Sequence, residues 1–95
     1  MEIKKVSIYK IEDAGNLKGF ATVNFDDELI VKNFKIIEGR DGLFISFPSE
    51  YSKKEDSYFD TVYPLNKETR DYISDAILDG YKESEKRKPT RTNKR

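Results

Sequence analysis

The sequence predicts an α+β protein, an antiparallel sheet of about five strands with a single C-terminal helix. Three observations carry this. Short apolar stretches rich in β-branched and aromatic residues recur through the first two thirds of the chain. The segments between them are too short for the crossovers that parallel strands need. The last long element changes period, from alternation to a helical repeat.

Residues 2–11, EIKKVSIYKI, put Val6 and Ile8 on one face and Ile3, Tyr9 and Ile11 on the other, which reads as a strand. DAGNLKG is a loop. FATVNF is a second strand, and Asp26-Asp27 is short enough to turn it back into ELIVKNFKII as a hairpin. EGRDG supplies another turn before LFISF, Leu43 to Phe47, which stops at Pro48. Leu43, Ile45 and Phe47 point one way and Phe44 the other. Apolar groups on both faces suit the sheet's centre or an interface rather than a solvated edge. A polar loop follows, and SYFDTVY, residues 57–63, forms the fifth strand. The helix is expected over Lys67 to Lys86. Asn66 can accept from the free first-turn amides, Glu68 lies near the positive end of the dipole, and Thr69, Ile73, Ala76, Ile77 and Gly80 share one side. Pro89 is expected to end any continuation. The domain is therefore placed at residues 1–85, with residues 86–95 a flexible basic arm that has no apolar group to anchor it.

A chain of 95 residues without Cys or His has a thin core and no route to disulfides, thiolate zinc sites or Ser-His and Cys-His catalysis. No catalytic residue, metal site, cofactor or small-molecule substrate is expected. MEIKKVSIYK offers no apolar leader, and no apolar run approaches a membrane span, so a soluble, cytoplasmic protein with no membrane partner is the expectation.

Net charge zero conceals an asymmetry. Residues 1–80 hold 11 Lys and Arg against 16 Asp and Glu, whereas residues 81–95 hold seven against two. An acidic body with a basic tail points to a polyanionic partner, because Lys and Arg gain affinity for phosphate by releasing counterions. A solubilising tail on a protein-binding body would show the same pattern. The acidic run Asp26, Asp27, Glu28 lacks the spacing of a calcium loop and reads as a solvated turn. Asp71, Asp75 and Asp79 form one polar helical stripe. Tyr51, Tyr58 and Tyr63 flank the polar loop, where rings can stack on bases or be buried with the hydroxyl at the surface. Leu78 falls opposite Ile73 and Ala76, where a monomer would expose it and a dimer would cover it.

The run GLFISFPS at 42–49, YFDTVYPL at 58–65 and NKETR at 66–70 leading into DAILDGY resembles the stage V sporulation protein G family, with the acidic turn before ELIVKNFKIIEG in keeping. The resemblance covers about residues 1–82. It implies an antiparallel sheet with a C-terminal helix, a homodimer, and nucleic-acid binding in gene regulation without catalysis. Basic groups of the loop after Pro-Ser and of the helical region would meet DNA or RNA: Lys53, Lys54, Arg70, Lys82, Lys86, Arg87, Lys88 and Arg91. Leu43, Phe44, Ile45 and Leu78 would form the dimer interface. The chain departs from the family pattern at Glu50 and Tyr51, where basic residues are usual, at Phe59, where Arg is common, and at Tyr63, where His precedes the proline.

Overall fold

The structure, a computed structural model, describes the backbone through Arg91 and the side chains through Ser84. Six strands and one helix follow in order: β1 (Ile3–Lys10), β2 (Leu17–Phe25), β3 (Leu29–Gly39), β4 (Gly42–Ser46), β5 (Ser49–Ser52), β6 (Ser57–Asp60) and α1 (Lys67–Arg91). The first four form one antiparallel sheet in the order β1-β2-β3-β4, and β5 and β6 form a separate two-stranded sheet. The α+β class and the C-terminal helix stand as the sequence predicts.

Alternation in β2 is complete. Ala21, Val23 and Phe25 are buried on the helix side, and they meet Phe34 and Ile36 of β3, Ile45 of β4 and the following Phe47. Ile73 and Ile77 of α1 close this core, while Val6 and Ile8 of β1 pack at its margin. Phe34 and Phe47 meet edge to face with ring centroids 5.2 Å apart. The helix starts where the sequence places it: the Asn66 side-chain oxygen accepts from the Thr69 amide at 2.8 Å. It lies along β1, and the Ile3 amide donates to the Tyr72 hydroxyl at 3.0 Å. Gly80 faces β1, where a Cβ would stand 3.2 Å from Val6 Cγ1.

The turn from β2 to β3 is built from its carboxylates. Asp26 and Asp27 both have positive φ, 59° and 57°, which matches the twist of a tight hairpin. The Asp26 carboxylate accepts from the Glu2 amide at 2.9 Å, and the Asn24 side-chain oxygen accepts from the Asp27 amide at 2.9 Å.

Four expectations change. The LFISF strand is at the sheet edge, paired only with β3, which removes the centre and leaves an interface as the reading of its two apolar faces. Pro48 ends the ladder there, and β5 pairs with β6 instead of adding to β4. Half of the polar loop, Ser49–Ser52, is itself a strand, and the expected strand over residues 57–63 stops at Asp60. Leu78 is half-buried against the core, because the apolar side of the helix is wide enough to include both it and Tyr81. The helix runs to Arg91, past Lys86 and across Pro89. The rest of the expected arm, residues 92–95, lies outside the described residues.

Candidate nucleic-acid interface

The β5–β6 hairpin presents the first basic pair. Its four-residue turn holds Lys53 and Lys54, both exposed. Tyr51 and Tyr58 are directly opposed across the strands, with ring centroids 5.3 Å apart, and Glu50 opposes Phe59 on the other face. The Tyr51 hydroxyl donates to the Asp56 carboxylate, and this bond, followed by desolvation and the neighbouring Tyr58, raises the Tyr51 pKa above its ordinary value. At the base of the hairpin the Thr61 amide and hydroxyl both donate to the Pro48 carbonyl, at 2.8 and 3.2 Å. Glu50, Glu55, Asp56 and Asp60 outnumber the two lysines.

Helix α1 carries the second group. Arg70 is exposed and holds its guanidinium 5.3 Å from the centroid of the Phe47 ring, a cation–π contact that fixes it beside β4. Lys82 is exposed on the same helix, 12 residues on, which is ~18 Å along the axis. Between them Asp71, Asp75 and Asp79 hold negative charge on the surface. Lys67 donates to Asp71 at 2.7 Å, and that carboxylate raises the Lys67 pKa. The expected basic residues are thus spread over two elements and interrupted by acids, not gathered in one patch. The side chains of Lys86, Arg87, Lys88 and Arg91 lie outside the described residues.

Of the four expected interface residues, only Phe44 is an outward-facing side chain, 49% exposed, with its ring lying over Gly39 of the neighbouring strand. Ile45 is in the core, and Leu43 and Leu78 pack against it. A second apolar surface went unread in the sequence. A cavity of about 160 Å³ opens at the end of the sheet near the β2–β3 turn, lined by Phe25, Leu29, Phe34, Phe47, Val62 and Ile73 among others. Leu65, in the adjoining linker, is 90% exposed.

Charge is also sorted by element. Strands β1 to β4 contain Lys4, Lys5, Lys10, Lys18, Lys32 and Lys35 but a single carboxylate, Glu38. The acids of the body sit in the turns, the hairpin and the helix. Charge windows taken along the chain hide this; the alternation in IKKVSIYK was the signal that could have revealed it. Among the described residues no group of three His, Cys, Asp or Glu side chains is placed to hold a metal ion. No helix among them is long and apolar enough to cross a membrane.

A family model described as SpoVG matches residues 1–83, which include the whole sheet, the hairpin and the helix through its core residues. The chain belongs to the SpoVG family. Its relatives include proteins named "Putative septation protein SpoVG". The one from Archaeoglobus fulgidus is 44% identical over 88% of this chain and 98% of its own length. The one from Caldanaerobacter subterraneus subsp. tengcongensis is 39% identical over 99% of both chains, and that from Acetivibrio thermocellus is 46% identical over 85% of both. SpoVG relatives thus match this chain over nearly all the elements that build its core.

Proposed function

We propose that this SpoVG-family protein is a non-enzymatic, nucleic-acid-binding regulator that acts as a homodimer. The observation that carries the reading is the separation of charge: seven Lys and Arg against two acids in residues 81–95, after a body of opposite sign. Lys82, Lys86, Arg87, Lys88 and Arg91 neutralise phosphates, with Arg70 at the helix start and Lys53 and Lys54 at the hairpin turn contributing. Such groups position nucleic acid without reading much sequence. The free edge of β4 supports a homodimer, because unpaired strand amides and carbonyls beside an exposed Phe44 are satisfied by a second copy of the same edge. In that arrangement Leu43 and Ile45 contribute backbone, and Leu78 packs beneath.

A second reading has its own support. The hairpin is rich in exposed aromatics and poor in net positive charge, which suits a protein partner better than a phosphate backbone. Titration of the purified protein against DNA and RNA at two salt concentrations separates the two. A phosphate-driven complex weakens steeply with salt, and an apolar protein interface does so far less. Absence of binding to either nucleic acid at low salt overturns the nucleic-acid reading.

A further inference from the structure

We propose that the outer face of the four-stranded sheet, the side away from α1, is a platform for single-stranded nucleic acid, with bases stacking on Tyr9 and Phe20 and phosphates meeting Lys5 and Lys35. This deepens, and rests on, the nucleic-acid reading above.

The strand register places these groups together. Ile8 pairs with Ala21 and Ala21 with Phe34 on the buried side, so the next residues along each strand face out. Tyr9 then stands opposite Phe20, Phe20 opposite Lys35, and Lys35 opposite Ser46, in one row across all four strands. Two rows away on the same face, Lys5 stands opposite Asn24. Ser7 and Thr22 fill the row between with small hydroxyls, which leave the rings accessible and can donate to phosphate or base. Tyr9 is 72% exposed, and Phe20 and Lys35 are half-buried. The helix covers the opposite face, where Val6 and Ile8 meet Gly80. No outward position of the strands holds a carboxylate: Glu38, the only one in β1 to β4, pairs with Leu43 on the core side and meets Lys18 at 3.3 Å.

Charge and shape together select the occupant. The strands of this face contribute lysines and no acid, and the carboxylate that reaches its rim, Asp27 of the β2–β3 turn, is held by the Asn24 side-chain amide at 3.1 Å. On a body otherwise acidic, such a face attracts a polyanion, most strongly in the Tyr9–Phe20–Lys35 row away from that turn. Rings lying among those lysines add stacking, which only unpaired bases can use. A broad four-stranded face does not enter the major groove of a duplex, which admits a helix or a two-stranded ribbon. A single strand can lie across it.

The test measures affinity of the whole chain for oligothymidine, oligouridine and a duplex of matching length, each at two salt concentrations, with thermal melts of every variant. Tyr9→Ala is expected to weaken single-strand binding by about fivefold to a hundredfold, and Tyr9→Phe, which keeps the ring, to retain it. Lys5→Glu is expected to lower the slope of log affinity against log salt by ~0.7 for each phosphate no longer neutralised. Duplex affinity should be unmoved by Tyr9→Ala, and the two single-strand arms show whether DNA or RNA is favoured. Single-strand affinity unchanged in both Tyr9→Ala and Lys5→Glu, with the intact protein binding, overturns the platform and leaves the nucleic-acid reading standing. The same holds if Tyr9→Ala lowers only the melting temperature, which marks Tyr9–Phe20 as a cross-strand pair and nothing more. No binding by the intact protein removes both.

Discussion

Gly80 shows how one residue reconciles two demands. In a helix interior it costs ~1 kcal/mol relative to Ala, yet any Cβ there would press on Val6 at 3.2 Å and on Ile8 at 3.5 Å. The helix thus gives up propensity so that it can lie close to β1. Gly80→Ala alone should change stability little, since the propensity gain and the pressure on the stiff Val6 side chain oppose each other. Made in a Val6→Ala background, the same substitution should stabilise, and urea unfolding of the four-member cycle reads the difference as a coupling term. Additive values would show that the close approach is not felt. Ile77 is the opposite case, fully buried where the helix meets the sheet. Ile77→Ala should cost ~2–5 kcal/mol by the same measurement, because a thin core cannot collapse around the missing groups. At this scale the sequence was partly legible. The helical period puts Ile73 and Ile77 on one side, where they prove to be core, and the type of Asn66 marks it as the cap. Leu78 was misread, because a helical wheel gives the direction of a side chain but not the width of the surface it packs on.

Elements were legible in proportion to their periodicity. β1 to β3 alternate clearly and were found within a few residues, as was the start of α1. β5 was missed because SEYS is short and polar, and its partner strand supplies the pairing that makes it a strand. Edge position was illegible for a similar reason: Phe44 and Ile45 show that both faces are apolar, but not which neighbours pair. The hairpin so formed is held by few interactions, since two strands alone are marginal in water. The bond from Tyr51 to Asp56 is one of them, and it makes the hairpin sensitive to alkali. Tyr51 has its pKa raised in the folded state, so its contribution is fully present below the ordinary tyrosine range and is lost as pH rises through the raised value. Deprotonation removes the donor and sets two anions side by side. Asp56→Asn should bring the Tyr51 titration back toward the ordinary tyrosine value, read from the pH dependence of the assigned Tyr51 ring-carbon resonance, which separates it from the other five tyrosines. An unchanged titration midpoint would mean that the bond is not formed in solution.

Across the whole molecule the apolar and charged surfaces are arranged so that assembly and nucleic-acid binding can be tested separately. Phe44 is only half-covered, and Leu43 and Ile45 beside it face inward, so Phe44→Asp should leave the fold intact while adding a charge at the free edge of β4. Light scattering should then give a monomer mass, and the unsubstituted protein a dimer mass; equal masses for both would remove β4 from the interface. The charge arrangement gives the remaining prediction. Truncation after Glu85 removes Lys86, Arg87, Lys88, Arg91, Lys94 and Arg95, leaving a chain with 12 Lys and Arg against 18 Asp and Glu. Every core residue named for the helix, from Ile73 through Tyr81, lies upstream, so the truncated chain should fold with nearly the same melting temperature. Its affinity for duplex DNA should fall, and the salt slope should drop by ~0.9 for each phosphate it no longer neutralises, or ~0.7 on single strands. Glu50→Lys should act in the opposite sense, adding charge beside Lys53 and Lys54 and tightening binding with little change in sequence discrimination. If binding is shared between the tail and the sheet face, truncation should weaken duplex and single strands unequally, because Tyr9 and Phe20 keep their hold on unpaired bases alone. Equal losses on the two substrates would place all of the affinity in the tail, and unchanged affinity after truncation would remove the tail from the interface altogether.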